Sequence, residues 1–239
     1  MSKYLIPPHV FVSTSEAGAV FLDLRKDKYT AVDHHDTATL EKLVLGWPAK
    51  TIGSADSPAL GPMEAGEIIA ILLAEGLLTA DTALGKDAAP ICLEPANSTI
   101  DEFVPQLPAI RMSHRLRFTL AWIRVNFMRR FWSMERIVRY VRERKIESAR
   151  RAIPFDPDRV RELVVIFFLL QPTFFSAHDA CLRVSLTLID FFAAYGVYPN
   201  WVFGVRTEPF AAHAWVQHES IALSDWAQHV RQYRPILVI

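Results

Sequence analysis

The sequence predicts an α+β protein, with a small β-meander and helices at the N-terminus and a domain of helices plus an antiparallel sheet at the C-terminus. Three observations carry this expectation. Short β-rich runs at residues 9–13, 19–24 and 29–32 are separated by turn residues. Apolar residues then recur every three or four positions across residues 111–151 and again in the stretch headed by Cys181. Finally, residues 212–217 and 221–225 alternate with the period of two expected of half-buried strands.

The first three runs form a meander whose turns fall at Glu16-Ala17-Gly18 and at residues 25–28. Asp36 or Thr37 can cap a helix with Leu40, Leu43 and Val44 inward, and residues 63–73 give a second helical stretch followed by Leu77-Leu78. Three strands with small helices look like a winged-helix domain, expected over residues 1–85. Residues 86–110 hold Pro90, Pro95, Pro105 and Pro108 without sustained periodicity, as a connector does, and Cys92 is read as an incidental thiol within it.

A second domain is expected over residues 111–239. Its first helical pattern sets Leu116, Leu120, Ile123, Phe127, Phe131, Met134 and Val138 on one face, expected to be core, while Arg117, Arg124, Arg129, Arg130 and Arg136 lie largely elsewhere. The apolar run at residues 163–170 falls well short of the roughly 20 residues that a membrane span needs, so a buried helix is expected there.

Composition narrows the functions. The 26 basic and 26 acidic side chains balance, but residues 1–110 carry 7 Lys and Arg against 15 Asp and Glu, and residues 111–151 carry 13 against 3. An acidic N-terminal part opposes phosphate binding, so no nucleic-acid partner is expected, and none at a membrane. The basic helical face is expected to be solvated or to meet the acidic part. Two cysteines make no disulfide framework, and no charged-then-apolar leader precedes Ile6-Pro7-Pro8, which points to a reducing cytoplasm.

The chemistry gathers between His178 and Trp226. Cys181 opens a helix whose Leu182, Leu186, Ile189 and Ala193 recur at helical intervals and which Gly196 can end in a left-handed cap. Unpaired N–H groups and the helix dipole there favour the thiolate, the reactive form. A hairpin turning at Glu219 would set Gln217 opposite Ile221, Trp215 opposite Leu223 and His213 opposite Asp225, within reach of an imidazole–carboxylate hydrogen bond. A two-residue loop would shift that register by one and turn Asp225 to the other face. His178 and His218 are the competing bases. His178 is poorly aimed from three residues before the cysteine, and His218 is expected in the turn, with both exposed.

Cys181-Leu182 with Ser185, then residues 210–216 (Phe-Ala-Ala-His-Ala-Trp-Val), then Asp225, resemble the transglutaminase-like leader peptidase of lasso-peptide biosynthesis, the B protein, over about the last eighty residues. Ala-His-Ala-Trp-Val alone would point only to the wider transglutaminase-like superfamily. Arg183 departs from the proline expected in many relatives. The resemblance implies a papain- or transglutaminase-like domain and a cysteine peptidase that frees a lasso-peptide core for an asparagine-synthetase-like cyclase. The N-terminal part then resembles a fused precursor-recognition element, similar to the small chaperone of pyrroloquinoline-quinone biosynthesis, through residues 20–24 and Tyr29.

The implied roles are Cys181 as nucleophile, His213 as base and acid, and Asp225 as its orienter, with the Cys181 backbone N–H as one oxyanion donor. The leader is expected along Tyr29, Thr30, Ala31 and Val32 and against Ile68, Ile69 and Leu72 of the second helix. No metal and no cofactor is expected, because paired metal-ligand spacings and phosphate-cradling glycine loops are missing from the sequence. The rival readings are an amine-accepting transglutaminase and a non-catalytic winged-helix regulator.

Overall fold

The computed structural model describes residues 3–48, 62–100, 107–149, 156–171 and 181–239. The chain divides into two compact units, one of Met1–Cys92 with Val205–Ala211 and Arg234–Leu237, the other of Leu93–Gly204 with Ala212–Tyr233 and Val238–Ile239. Together they make an α+β fold.

In the first unit, β1 (Val10–Ser15), β2 (Gly18–Asp23) and β3 (Lys28–Asp33) form an antiparallel sheet in the order β1-β2-β3. Gly18 closes the β1–β2 turn at φ 136°, where an added Cβ would lie 2.1 Å from the Val32 carbonyl oxygen. The first helix, α1 (His34–Leu43), follows β3 without a loop, so its cap is Asp33 and not the expected Asp36 or Thr37. The Asp33 carboxylate accepts the Asp36 N–H at 2.9 Å, and Thr37 donates its hydroxyl to the Asp33 carbonyl at 2.7 Å. A second helix, α2 (Pro62–Ala74), leads to Leu77 and Leu78. The core is built from alternate strand residues, Val10, Val12 and Phe21 among them, with Leu40 from α1, Leu72 from α2 and the Trp47 ring 5.9 Å from that of Phe21. Val32, Ile69 and Leu72 belong to this core. Of the expected leader contacts they are therefore covered, while Tyr29, Thr30 and Ile68 are half-buried and Ala31 is exposed.

The second unit holds α3 (Met112–Phe131), α4 (Met134–Ala149), α5 (Pro157–Leu170), α6 (Cys181–Ala193) and the short α7 (Ala227–Val230). A five-stranded sheet has the order β4-β7-β6-β5-β8, with β4 (Ser98–Thr99), β5 (Asn200–Thr207), β6 (Phe210–His218), β7 (Ile221–Ala222) and β8 (Arg234–Val238). The sheet is mixed and not purely antiparallel, because β4 runs parallel to β7. That strand lies inside the stretch expected as a connector, where Asn97 N–H donates to the Ser220 carbonyl and Ile100 N–H to that of Ala222.

The apolar face expected to bury α3 is reversed. Leu116, Leu120, Ile123, Phe127 and Phe131 are 47–64% exposed, whereas Phe118, Ala121, Val125 and Met128 are buried. Both sets are apolar and helically spaced, so periodicity alone cannot choose between them. Asp190 on α6 chooses. At 3% side-chain exposure its carboxylate needs cationic partners, and Arg124 from α3 and Arg144 from α4 each reach it at 2.6 Å. Burial pushes the Asp190 carboxyl up, against the pull of both guanidinium groups. With Arg124 turned toward α6, Phe118 meets Phe167 of α5 and Phe191 of α6 at ring distances of 5.2 and 6.1 Å. The single pattern expected over residues 111–151 also breaks in two at Trp132, whose extended backbone ends α3. Met134 and Val138 are buried as expected, on α4.

Candidate active site

Cys181 is the first residue of α6 and is partly buried. Its helix is fixed to the sheet by Ser185, one turn on, whose hydroxyl accepts the Trp201 indole N–H of β5 at 2.9 Å while donating to the Leu182 carbonyl at 3.3 Å. The helix ends as expected, with Gly196 at φ 77° and Val197 N–H returning to the Phe192 carbonyl.

His213 lies on β6, on the same face as Trp215 and Gln217. Gln217 is 1% exposed and fully engaged, accepting the Trp215 indole N–H at 2.9 Å and donating to the carbonyls of Glu94 and Glu219 at 2.6 Å. Trp215 is thereby locked beneath the histidine, its ring 6.0 Å from the imidazole and nearly parallel to it. Gly204 of β5 makes room for that indole, since an added Cβ would come within 2.6 Å of it.

The hairpin register differs from the expected one. Glu219, at φ 48°, and Ser220 form a two-residue turn, so Gln217 pairs with Ala222 and His218 with Ile221. By strand alternation Asp225 should then point away from His213. It does not, because β7 ends at Ala222 and the chain leaves the strand before Asp225. Ser224 completes the departure by accepting the Val216 N–H on its hydroxyl at 2.8 Å. The Asp225 carboxylate arrives 2.7 Å from His213 Nε2.

The electrostatics follow from these contacts. Burial disfavours the Asp225 anion, but hydrogen bonds from His213, His229 and the Trp226 N–H outweigh it and hold the carboxyl below its usual range. An ionised carboxylate only accepts, so His213 carries a proton on Nε2 and leaves Nδ1 for Cys181. Burial alone would lower His213; hydrogen bonds to Asp225 and Cys181 instead raise it to about 9. Burial likewise works against the Cys181 anion, yet the bonds from His213 and from the backbone N–H groups of Ala214 and Leu182 lower the thiol below its ordinary value. Thiolate and imidazolium are the favoured pair.

The structure brings Cys181, His213 and Asp225 together, Asp225 by leaving its strand and not by the expected cross-strand pairing with His213. His218 ends β6, half-buried, with its imidazole pushed down by desolvation, and not in the exposed turn. His178 lies outside the described residues, and Cys92 is exposed. One residue was missed: His229 of α7, whose Nδ1 lies 2.8 Å from Asp225 Oδ2. Its i+4 spacing from Asp225, which lies just before the N-cap of that short helix, was the one trace of the contact in the sequence. Among the described residues, His213, Asp225 and His229 are a group that could hold a metal ion, with one ligand atom each within 4.8 Å of the others. Those atoms are already engaged in the hydrogen bonds just described.

A cysteine at a helix start, a histidine on the next sheet and an acid behind it are the arrangement that thiol-dependent acyl transfer requires. Residues 121–238 match the family model of the transglutaminase-like superfamily. Such a domain fits cysteine peptidase or acyltransferase activity in general. No curated protein and no solved structure matches the chain. Among the described residues, no helix is long and apolar enough to cross a membrane.

Proposed function

We propose that this chain is a cysteine peptidase that removes the leader from a ribosomally made lasso-peptide precursor. The convergence of Cys181 with His213, and of His213 with Asp225 at 2.7 Å, carries the chemistry. The Cys181 thiolate attacks the scissile carbonyl, and the imidazolium gives its Nδ1 proton to the departing amine, which leaves as the free N-terminus of the core peptide. His213, now neutral, takes a proton from water, the hydroxide equivalent breaks the thioester, and the leader departs as its acid. Asp225 keeps the ring oriented and stabilises its charged form throughout. The freed amine is what an asparagine-synthetase-like macrolactam cyclase needs for ring closure, and that cyclase is the partner we assign.

Two observations support leader recognition. The motif around Cys181, His213 and Asp225 resembles that of the leader peptidases, and β3 is a terminal strand of its three-stranded sheet. A terminal strand can accept an extended peptide as a further strand, with side chains such as Ala31 and Ile68 giving selectivity.

The test is to incubate the full chain with a lasso precursor and identify products by mass. Cleavage at the leader–core junction that Cys181→Ala abolishes and Cys92→Ala leaves intact is expected. Incorporation of an added primary amine into the leader fragment, in preference to water, would instead make the chain an amine-accepting acyltransferase. Loss of cleavage on Ala31→Pro, with turnover of a short junction peptide retained, is expected if β3 receives the leader.

A further inference from the structure

Asp225 is not held by sheet pairing, since β7 ends at Ala222. Its position rests on three donors. Oδ1 accepts the Trp226 N–H at 2.6 Å, and Oδ2 accepts both His213 Nε2 at 2.7 Å and His229 Nδ1 at 2.8 Å. Two imidazoles therefore share one carboxylate oxygen, with ring centroids 4.9 Å apart, and the Tyr233 ring lies 5.1 Å from one and 5.4 Å from the other.

His229 is itself firmly placed. The α7 turn is anchored by Ala227 and Val230, which are buried with Trp215 and Val202, and by the Ala227 N–H donating to the Thr99 hydroxyl of β4 at 2.8 Å. The His229 N–H also closes the turn onto the Trp226 carbonyl at 2.9 Å. The segment from Asp225 to Val230 thus begins with the carboxylate and returns a donor to it four residues later.

We propose that His229 is a positioning residue for the acyl-transfer site, fixing Asp225 Oδ2 so that Asp225 in turn aims His213 at Cys181. This rests on the reading of Cys181, His213 and Asp225 as the reacting set. His229 touches none of the reacting atoms. It acts through a carboxylate that would otherwise turn about its side-chain bonds, held only by the Trp226 N–H and by the histidine it is meant to orient. The requirement is a single N–H donor at the position of Nδ1. Asparagine offers one, because its side-chain nitrogen is attached to the same carbon of the chain as Nδ1 is in histidine, so His229→Asn should substitute where His229→Ala cannot.

The experiment uses the full chain with Cys92→Ala, so that Cys181 is the one remaining thiol, and follows its alkylation by iodoacetamide against pH beside kcat and KM for precursor cleavage. His213 is faced by Cys181, Asp225, His229 and Tyr233, so its titration is read with those groups unchanged except His229. In the parent, alkylation should stay fast well below the range of an ordinary thiol. His229→Ala should slow alkylation at pH 6.5 and lower kcat by about tenfold, as a misaimed catalytic group does, with KM little changed. His229→Asn should restore most of both. A parent-like alkylation profile and kcat in His229→Ala would overturn the proposal. So would a folded His229→Asn protein whose Cys181 reacts only as an ordinary thiol. If the parent itself alkylates like an ordinary thiol, the reading of the reacting set fails, and that outcome is distinct from a parent with a reactive Cys181 that ignores His229.

Discussion

His213 and Asp225 hydrogen-bond at 2.7 Å although their hairpin is one residue out of the register that would set them opposite each other. Departure from the strand after Ala222 compensates for the shift. The contact therefore depends on the path of residues 223–226 and not on the ladder. Ser224→Ala, which removes the acceptor for the Val216 N–H, should lower kcat severalfold while Asp225 remains present. Steady-state kinetics beside a thermal melt would check this, and an unchanged kcat would show that Ser224 does not guide the chain.

Asp225→Asn keeps the shape of the carboxylate but presents an amide to His213. By analogy with acid-to-amide changes in other triads, cleavage should fall by about a hundredfold to ten-thousandfold. The alkaline limb of the kcat/KM profile should also move to lower pH, because the anion that raises His213 is gone.

The pH dependence of activity follows from the shifts at Cys181 and His213. The reacting state is thiolate with imidazolium, so activity needs a pH above the lowered value of Cys181 and below that of His213, about 9. Activity should decline above pH 9 as the proton for the departing amine is lost. The same shift contributes to stability: a histidine raised from 6.5 stabilises the fold fully below pH 6.5, and that contribution is lost as pH rises through about 9. Asp225, held low, contributes above the ordinary carboxylate range and loses that contribution in acid. Melting temperatures across pH 3–10 would test both limbs.

The two faces of α3 should differ sharply on substitution. Phe118→Ala, at a site with no exposure, should cost about 3–5 kcal/mol. Leu120→Ser and Ile123→Ser, on the exposed stripe, should each stay within about 0.5 kcal/mol. Chemical denaturation would decide, and a large loss at Leu120 would put that stripe back in the core.

These contrasts mark what was legible in the sequence. The meander and α6 could be read because each depends on local spacing, and the partnership of Cys181 with His213 and Asp225 because of its motif, since the hairpin register expected to set His213 opposite Asp225 is not the observed one. The buried face of α3 could not, since the choice between two apolar stripes is made by Arg124 reaching Asp190, sixty-six residues away. Strand β4 was hidden for a similar reason: two residues, Ser98 and Thr99, pair with a segment more than a hundred residues later, and a proline-rich context masks them. His229 has no motif of its own. It becomes visible only when Asp225 is seen at the foot of α7.

Acylation of Cys181 is read most directly from the mass of the intact protein, quenched in acid during turnover of a lasso precursor. A transient adduct on Cys181 equal to the leader acyl fragment is expected, appearing together with core peptide bearing a free N-terminus, and absent from Cys181→Ala. Cleavage that proceeds in Cys181→Ala, or junction hydrolysis by the wild-type chain with no acylation of Cys181 under any quench time, would contradict it.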